Sequence, residues 1–152
     1  MHEIFLGAAV SGIIGFILAL PAIIIETSRR AKDMPLILDV RFLWNFKLTN
    51  GEVFGISLLL HLIVATLVGG FYTWFAGNGW LFITHAPFAL HSVIIFTIGT
   101  WLVTGFILYP LLGMGFFAHR QGKQMWFEML VTHLLIGFGF WLAISYYQPI
   151  FF

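Results

Sequence analysis

The chain alternates between long apolar runs and shorter polar connections. Four runs of roughly twenty residues are each long enough to cross a hydrocarbon core about 30 Å thick. They lie near Ile4–Ile25, Val53–Phe75, Phe88–Leu112 and Trp126–Tyr147. Only 9% of the residues are charged and 61% are hydrophobic, which is not the composition of a soluble domain. The pattern predicts an all-α integral membrane protein whose 152 residues form one four-helix transmembrane domain.

The basic residues divide the connections into two classes. All 7 lysines and arginines fall in the connections after the first and third helices, at residues 26–52 and 117–125. The positive-inside rule therefore places these two connections in the cytoplasm, or on the matrix side in an organelle, and both termini on the opposite side. Short connections favour antiparallel neighbours, so we expect an up-down-up-down bundle in a bacterial or archaeal plasma membrane. The first run lacks the basic start of a signal peptide and is expected to remain in the mature protein.

Residues 34–50, within the first of these connections, mix apolar side chains with charges. The stretch is too short and too charged to span a bilayer. We expect it to lie in the membrane interface with Trp44 and Phe46 dipping in, or to form a docking surface for a partner subunit. The chain has no cysteine, which excludes disulfides and thiolate metal sites. Its net charge of +1 indicates no nucleic-acid partner.

Two short strings in the apolar runs are nearly identical. Residues 15–21 read GFILALP, and residues 105–110 read GFILYP. Each string lies in the first helix of a helix pair, so the match predicts a 2+2 parallel internal repeat about an axis along the membrane normal. Small residues recur every four positions at Gly7, Ser11 and Gly15, and they predict a close helix contact in lipid.

A histidine occurs in the second helix of each pair. His61 is nine residues beyond Glu52, and His133 is ten residues beyond Lys123. At the rise of an α-helix, both rings lie roughly 13–15 Å past the inside boundary, near the middle of the membrane. An ionisable ring at that depth requires a partner, a ligand or a cavity, so the two histidines form the candidate site.

Three interpretations of this site stay open. In the first, each ring hydrogen-bonds to a helix carbonyl or to a serine, threonine or tyrosine of a neighbouring helix. In the second, His61 and His133 are the axial ligands of a b-type haem, and Gly69 and Gly137 leave space beside the rings. That arrangement resembles membrane b-type cytochromes, in which paired helices present facing histidines. In the third, the site binds chlorophyll, a quinone or a metal ion.

Three further histidines, His2, His85 and His91, fall at the outside boundary. With Glu3 nearby they are candidates for a zinc or copper site, although no ligand spacing such as HxxxH occurs. No Asp, Glu, Lys or Arg lies at the middle of any run, which argues against an ion-coupled pump.

These observations favour a non-catalytic role. Small size and outer faces rich in Phe and Leu are typical of an accessory or anchoring subunit of a larger respiratory or photosynthetic membrane complex. The alternative is a haem-binding electron-transfer protein that uses His61 and His133. A third interpretation is a small oligomeric transporter or channel, which the repeat favours and the uncharged runs disfavour. The expected partners are lipids and other membrane subunits.

Overall fold

A computed structural model describes residues 2–27, 37–38, 40–44, 46–79 and 86–151, without the side chains of 25–27 and 147–151. The chain is mostly helical. In order, its elements are α1 (His2–Thr27), β1 (Phe42–Leu43), β2 (Phe46–Lys47), α2 (Asn50–Gly77), α3 (Leu90–Val103), a π-helical segment (Thr104–Leu108), α4 (Tyr109–Leu111), a 3₁₀ turn (Phe116–Ala118) and α5 (Met125–Phe151).

Four helical stretches are long and apolar enough to cross a membrane. They are His2–Ile24, Asn50–Gly77, Leu90–Leu111 and Met125–Tyr146. Their positions agree with the four apolar runs, so this part of the prediction is confirmed. The third stretch widens to π-helical geometry just before Pro110. Proline has no N–H and crowds the preceding turn, and a wider turn relieves that crowding.

The helices pack mainly as two pairs. Helix α1 packs along α2, α3 packs against α5, and a smaller contact between α1 and α5 joins the pairs. In the first pair, a side chain at Gly69 would overlap the Gly7 carbonyl and the Ser11 side chain. In the second pair, a side chain at Gly137 would overlap Thr97. Small residues thus bring the helix backbones close together, as is common for helices in lipid.

The described residues before α2 include a short hairpin in a chain that is otherwise mostly helical. Its strands β1 and β2 form an antiparallel hairpin in which Phe42 pairs with Lys47. Trp44 and Phe46 are exposed, whereas Val40 is fully buried. The Val40 N–H donates to the hydroxyl of Ser57 at 2.8 Å, so the hairpin is anchored to α2. Hydrogen bonds between the two strands satisfy backbone N–H and C=O groups of this segment. In a helix the same groups would be paired within the segment.

Gln121 attaches this hairpin to the connection between α4 and α5. Its Oε1 accepts hydrogen bonds from the backbone N–H groups of Arg41 at 2.8 Å and Phe42 at 3.2 Å. Its Nε2 donates to the Phe42 carbonyl at 2.7 Å. The N–H of Trp44 donates to the Leu112 carbonyl at 3.0 Å. The two connections that carry the basic residues are therefore packed against each other.

Helix α2 begins at a capping interaction. The carboxylate of Glu52 accepts hydrogen bonds from the N–H of Thr49 at 2.8 Å and from its hydroxyl at 2.7 Å. An acidic residue in the first turn also interacts favourably with the positive end of the helix dipole. The start of α2, and with it the position of His61, is therefore fixed by local sequence.

Candidate functional site

His61 joins α2 to α1. Its side chain is buried, and its Nε2 lies 2.9 Å from the carbonyl oxygen of Gly15. Because a carbonyl only accepts, Nε2 carries the proton and Nδ1 is the acceptor nitrogen. Gly15 permits this approach, since a side chain there would overlap Ala65. The first residue of the string GFILALP is therefore the hydrogen-bond partner of the first histidine.

His133 makes a different set of contacts. Its Nδ1 donates to the carbonyl of Met129, one turn earlier in α5, at 2.8 Å. Its Nε2 lies 3.4 Å from the hydroxyl of Thr104, which is a long contact for a hydrogen bond. That hydroxyl has one proton, and the carbonyls of Thr100 and Trp101 lie closer to it, at 3.0 and 2.9 Å. The second histidine is therefore held mainly by its own helix.

Both histidines line one cavity of about 30 Å³. The polar residues among those that line it are His61, His133, Thr132, Tyr109 and Glu128, of which Glu128 is exposed. The remaining lining residues are apolar. Most of the cavity surface is apolar, and its volume would admit at most about two water molecules, since one needs roughly 10–15 Å³ on the same measure. The structure thus brings the two predicted residues to one small, mostly apolar cavity.

The cavity does not fit a haem. Pockets for small ligands have volumes of about 300 Å³ or more, which is roughly ten times the volume of this cavity. The room expected beside Gly69 is filled by α1, and the room beside Gly137 is filled by Thr97 of α3. A macrocycle between His61 and His133 would require the helices to separate, so the bundle as packed leaves no place for one.

Two of the three outer histidines belong to the described part of the chain. His2 is exposed at the start of α1, and His91 is exposed at the start of α3. His85 lies outside the described residues. Among the residues that the structure describes, no group of three or more His, Cys, Asp or Glu side chains could hold a metal ion.

Sequence reasoning missed two of the polar residues around the cavity, Thr132 and Tyr109. Glu128 and Thr132 are four residues apart on α5, with the Thr132 hydroxyl donating to the Glu128 carbonyl at 2.9 Å. They precede His133 by five residues and one residue, and neither spacing places a residue on the same face of a helix, so helical periodicity gave no signal for them. Tyr109 follows the π-helical segment, and its direction depends on that irregular turn, which apolar periodicity does not reveal.

No protein family, curated protein or solved structure matches the chain.

Proposed function

We propose that the chain is a non-catalytic integral membrane protein, an accessory or anchoring subunit of a larger membrane complex of the respiratory or photosynthetic kind. Large apolar side chains are exposed on all four long helices, among them Ile13, Leu59, Ile95 and Leu142. Such surfaces suit lipid and the helices of other subunits. The two histidines serve as interhelical and intrahelical hydrogen-bonding groups, which is the first of the three interpretations of the site.

The packing of the two basic connections supports the proposed topology. Gln121 bonds to the backbone at Arg41 and Phe42, and Trp44 bonds to Leu112. Connections in contact with each other belong on one side of a membrane, as an up-down-up-down bundle requires. The positive-inside rule makes that side the cytoplasm and places both termini outside.

The contacts of the histidines support the proposed 2+2 repeat. His61 bonds to Gly15, the first residue of one string, and His133 lies against Thr104, which directly precedes the other string at Gly105. Each contact joins the second helix of a pair to the first. The pairs α1–α2 and α3–α5 are also the two most extensive helix contacts.

The observation that carries the subunit proposal is the surface at Gly99 in the middle of α3. A side chain at Gly99 would meet no described atom within 4 Å. Glycine inside a helix costs about 1 kcal/mol relative to alanine, and close helix approach is its usual compensation in lipid. Eight other helical glycines have such a neighbour: Gly7, Gly12, Gly15, Gly69, Gly70, Gly105, Gly137 and Gly139. The other described helical glycines without one, Gly51, Gly55 and Gly77, lie near the ends of α2 rather than in the middle of a helix. We infer that the face with Gly99 and the exposed Ile95 receives a helix of another subunit.

Site-specific photo-crosslinking in the native membrane tests this proposal. A photoreactive phenylalanine at Ile95 should form an adduct with a different membrane protein, and the same group at the exposed Leu59 of α2 should not. Gly99→Leu should remove the adduct, because its side chain fills the place of the partner helix. Gly55→Leu is the control, since Gly55 likewise has no described neighbour within 4 Å, with Gly55 exposed and Gly99 half-buried.

The other outcomes would decide against the subunit role. An adduct between two copies of this chain would favour the oligomeric transporter or channel. Adducts with lipid alone at both positions would leave α3 without a protein partner and would contradict the proposal.

A further inference from the structure

A second cavity, of about 250 Å³, lies where α3 meets the start of α5. We call it the aromatic groove; its lining residues are Trp101, Phe117, His119, Gly122, Lys123 and Trp126. Two indoles and a phenyl ring form most of its walls. Lys123 carries its one full positive charge, and no carboxylate is among these lining residues. The groove therefore combines an apolar surface with a cation.

Its walls are held in place before any ligand binds. The indole N–H of Trp101 donates to the Trp126 carbonyl at 3.2 Å and joins α3 to α5. The rings of Trp101 and Phe117 lie 4.8 Å apart between centroids. Phe117 and Ala118 both have left-handed backbone conformations, with φ of 49° and 53°. This conformation is unfavourable for a residue with a side chain, and such strain is common at ligand sites.

The π-helical segment supports this conformation. The Phe117 ring packs directly on Gly105, where any side chain would overlap it. The ring also lies against Phe106, with 4.7 Å between centroids and an edge-to-face angle of 76°. These contacts offset the strain of the turn and fix the phenyl ring in the wall of the groove.

We propose that the aromatic groove binds the phosphate and glycerol region of an anionic phospholipid. The ammonium group of Lys123 pairs with the phosphate, and the rings of Trp101 and Trp126 contact the glycerol and the first methylene groups. The inference rests on the proposed function, because it requires this edge of the bundle to lie at the membrane interface. Basic pockets between helices on the cytoplasmic side are typical sites for anionic headgroups.

The size and lining of the groove favour a lipid over free phosphate. A volume of about 250 Å³ exceeds the need of an isolated phosphate and falls short of a whole phospholipid. The acyl chains would continue along the exposed rings of Trp126 and Phe127. Aromatic side chains stabilise the methylene groups of a lipid by apolar contact. They give no comparable stabilisation to a hydrated phosphate ion.

Native mass spectrometry of the full chain, released from bilayers of defined composition, tests the inference. We expect phosphatidylglycerol to be retained about tenfold more strongly than phosphatidylcholine with the same acyl chains, a difference of about 1.4 kcal/mol. Lys123→Gln should reduce this preference to near unity, and Lys123→Arg should preserve it. Lys47→Gln is the matched control, because Lys47 is an exposed lysine on β2 outside the groove and its removal changes net charge equally.

Three results would overturn the inference. Equal loss of preference in Lys47→Gln and Lys123→Gln would show general electrostatic attraction. Displacement of the lipid by millimolar inorganic phosphate would identify a free-anion site. Stable insertion into bilayers without a preference for phosphatidylglycerol would refute the lipid site alone, whereas failure to insert would refute the proposed function together with it.

Discussion

The Nε2 atom of His61 lies 2.9 Å from the carbonyl oxygen of Gly15, so a side chain of α2 bonds to the backbone of α1. The corresponding contact in the other helix pair, between His133 and Thr104, is 3.4 Å long. Two histidines that look equivalent along the chain therefore differ in what they connect. His61 is a link between helices, whereas His133 is secured within α5 through Met129.

This difference predicts unequal effects of removing the two rings' polar atoms. His61→Phe keeps an aromatic side chain of similar shape but loses the bond to Gly15. Interhelical hydrogen bonds in membranes contribute about 1 kcal/mol, so we expect a loss of that size in the free energy of unfolding. His133→Phe should cost less, because its cross-helix contact is weaker. Steric trapping in bicelles would measure both, with the exposed Leu59→Ala as a control. An equal or larger loss for His133→Phe would contradict the assignment.

Opposite effects are expected from alanine at two glycines of α2. The methyl group of Gly69→Ala would overlap the Gly7 carbonyl and Ser11, so overpacking should destabilise the α1–α2 pair by about 1–3 kcal/mol. Gly55→Ala has open space around it and should stabilise the protein by up to about 1 kcal/mol through its better helix propensity. Thermal unfolding in detergent would compare them. A neutral Gly69→Ala would mean that the two helices lie further apart than this packing requires.

Apolar periodicity predicted much of the helix packing because small and polar residues in lipid mark contact faces. The residues Ser57, His61, Ala65 and Gly69 recur every four positions along α2, and the structure buries all four. The corresponding row on α5 consists of His133, Gly137, Trp141 and Ser145. Its first two residues are buried, whereas Ser145 is exposed. Residues four apart drift around a helix with 3.6 residues per turn, and the buried face shifts to Phe140 and Ile144.

The hairpin and the π-helical segment could not be predicted in the same way. The hairpin depends on bonds from Gln121 to backbone groups about 80 residues away in the chain, and no local pattern encodes such a distant contact. An α-helix pairs backbone groups four residues apart and a π-helix pairs groups five residues apart. The pattern of hydrophobic residues does not distinguish the two. The size of the cavity between the histidines depends on both features, because Tyr109 and Leu38 line it.

The small cavity predicts that the purified protein has no b-type haem spectrum. The cavity that both histidines line has a volume of about 30 Å³. Helices α1 and α3 occupy the space beside Gly69 and Gly137. A reduced-minus-oxidised visible spectrum of protein from a haem-replete host should therefore show no Soret shift. A Soret shift that disappears in both His61→Ala and His133→Ala would show that the helices open to admit a macrocycle, and it would restore the electron-transfer alternative.

Gln121 predicts a local loss of protection in the hairpin. Gln121→Leu removes three hydrogen bonds to the backbone at Arg41 and Phe42, each contributing about 1 kcal/mol. Hydrogen exchange across residues 41–44 should accelerate by roughly one hundredfold if the hairpin detaches alone. Gln121→Glu keeps the acceptor, loses the donor and should be intermediate. The exposed Gln124→Leu serves as control, and equal exchange in both leucine variants would count against the attachment.

Single cysteines can test the proposed orientation, since the chain contains no cysteine of its own. Lys47→Cys and Lys123→Cys lie in the two connections that Gln121 and Trp44 join, so both should react with a membrane-impermeant maleimide from the same side. The positive-inside rule assigns that side to the cytoplasm. His2→Cys should react only from the opposite side. In inverted vesicles the two connections should therefore label and position 2 should not, with intact cells giving the reverse. Labelling of all three positions from one side would refute a membrane crossing by α1, and labelling of the two connections from opposite sides would be incompatible with their observed contact.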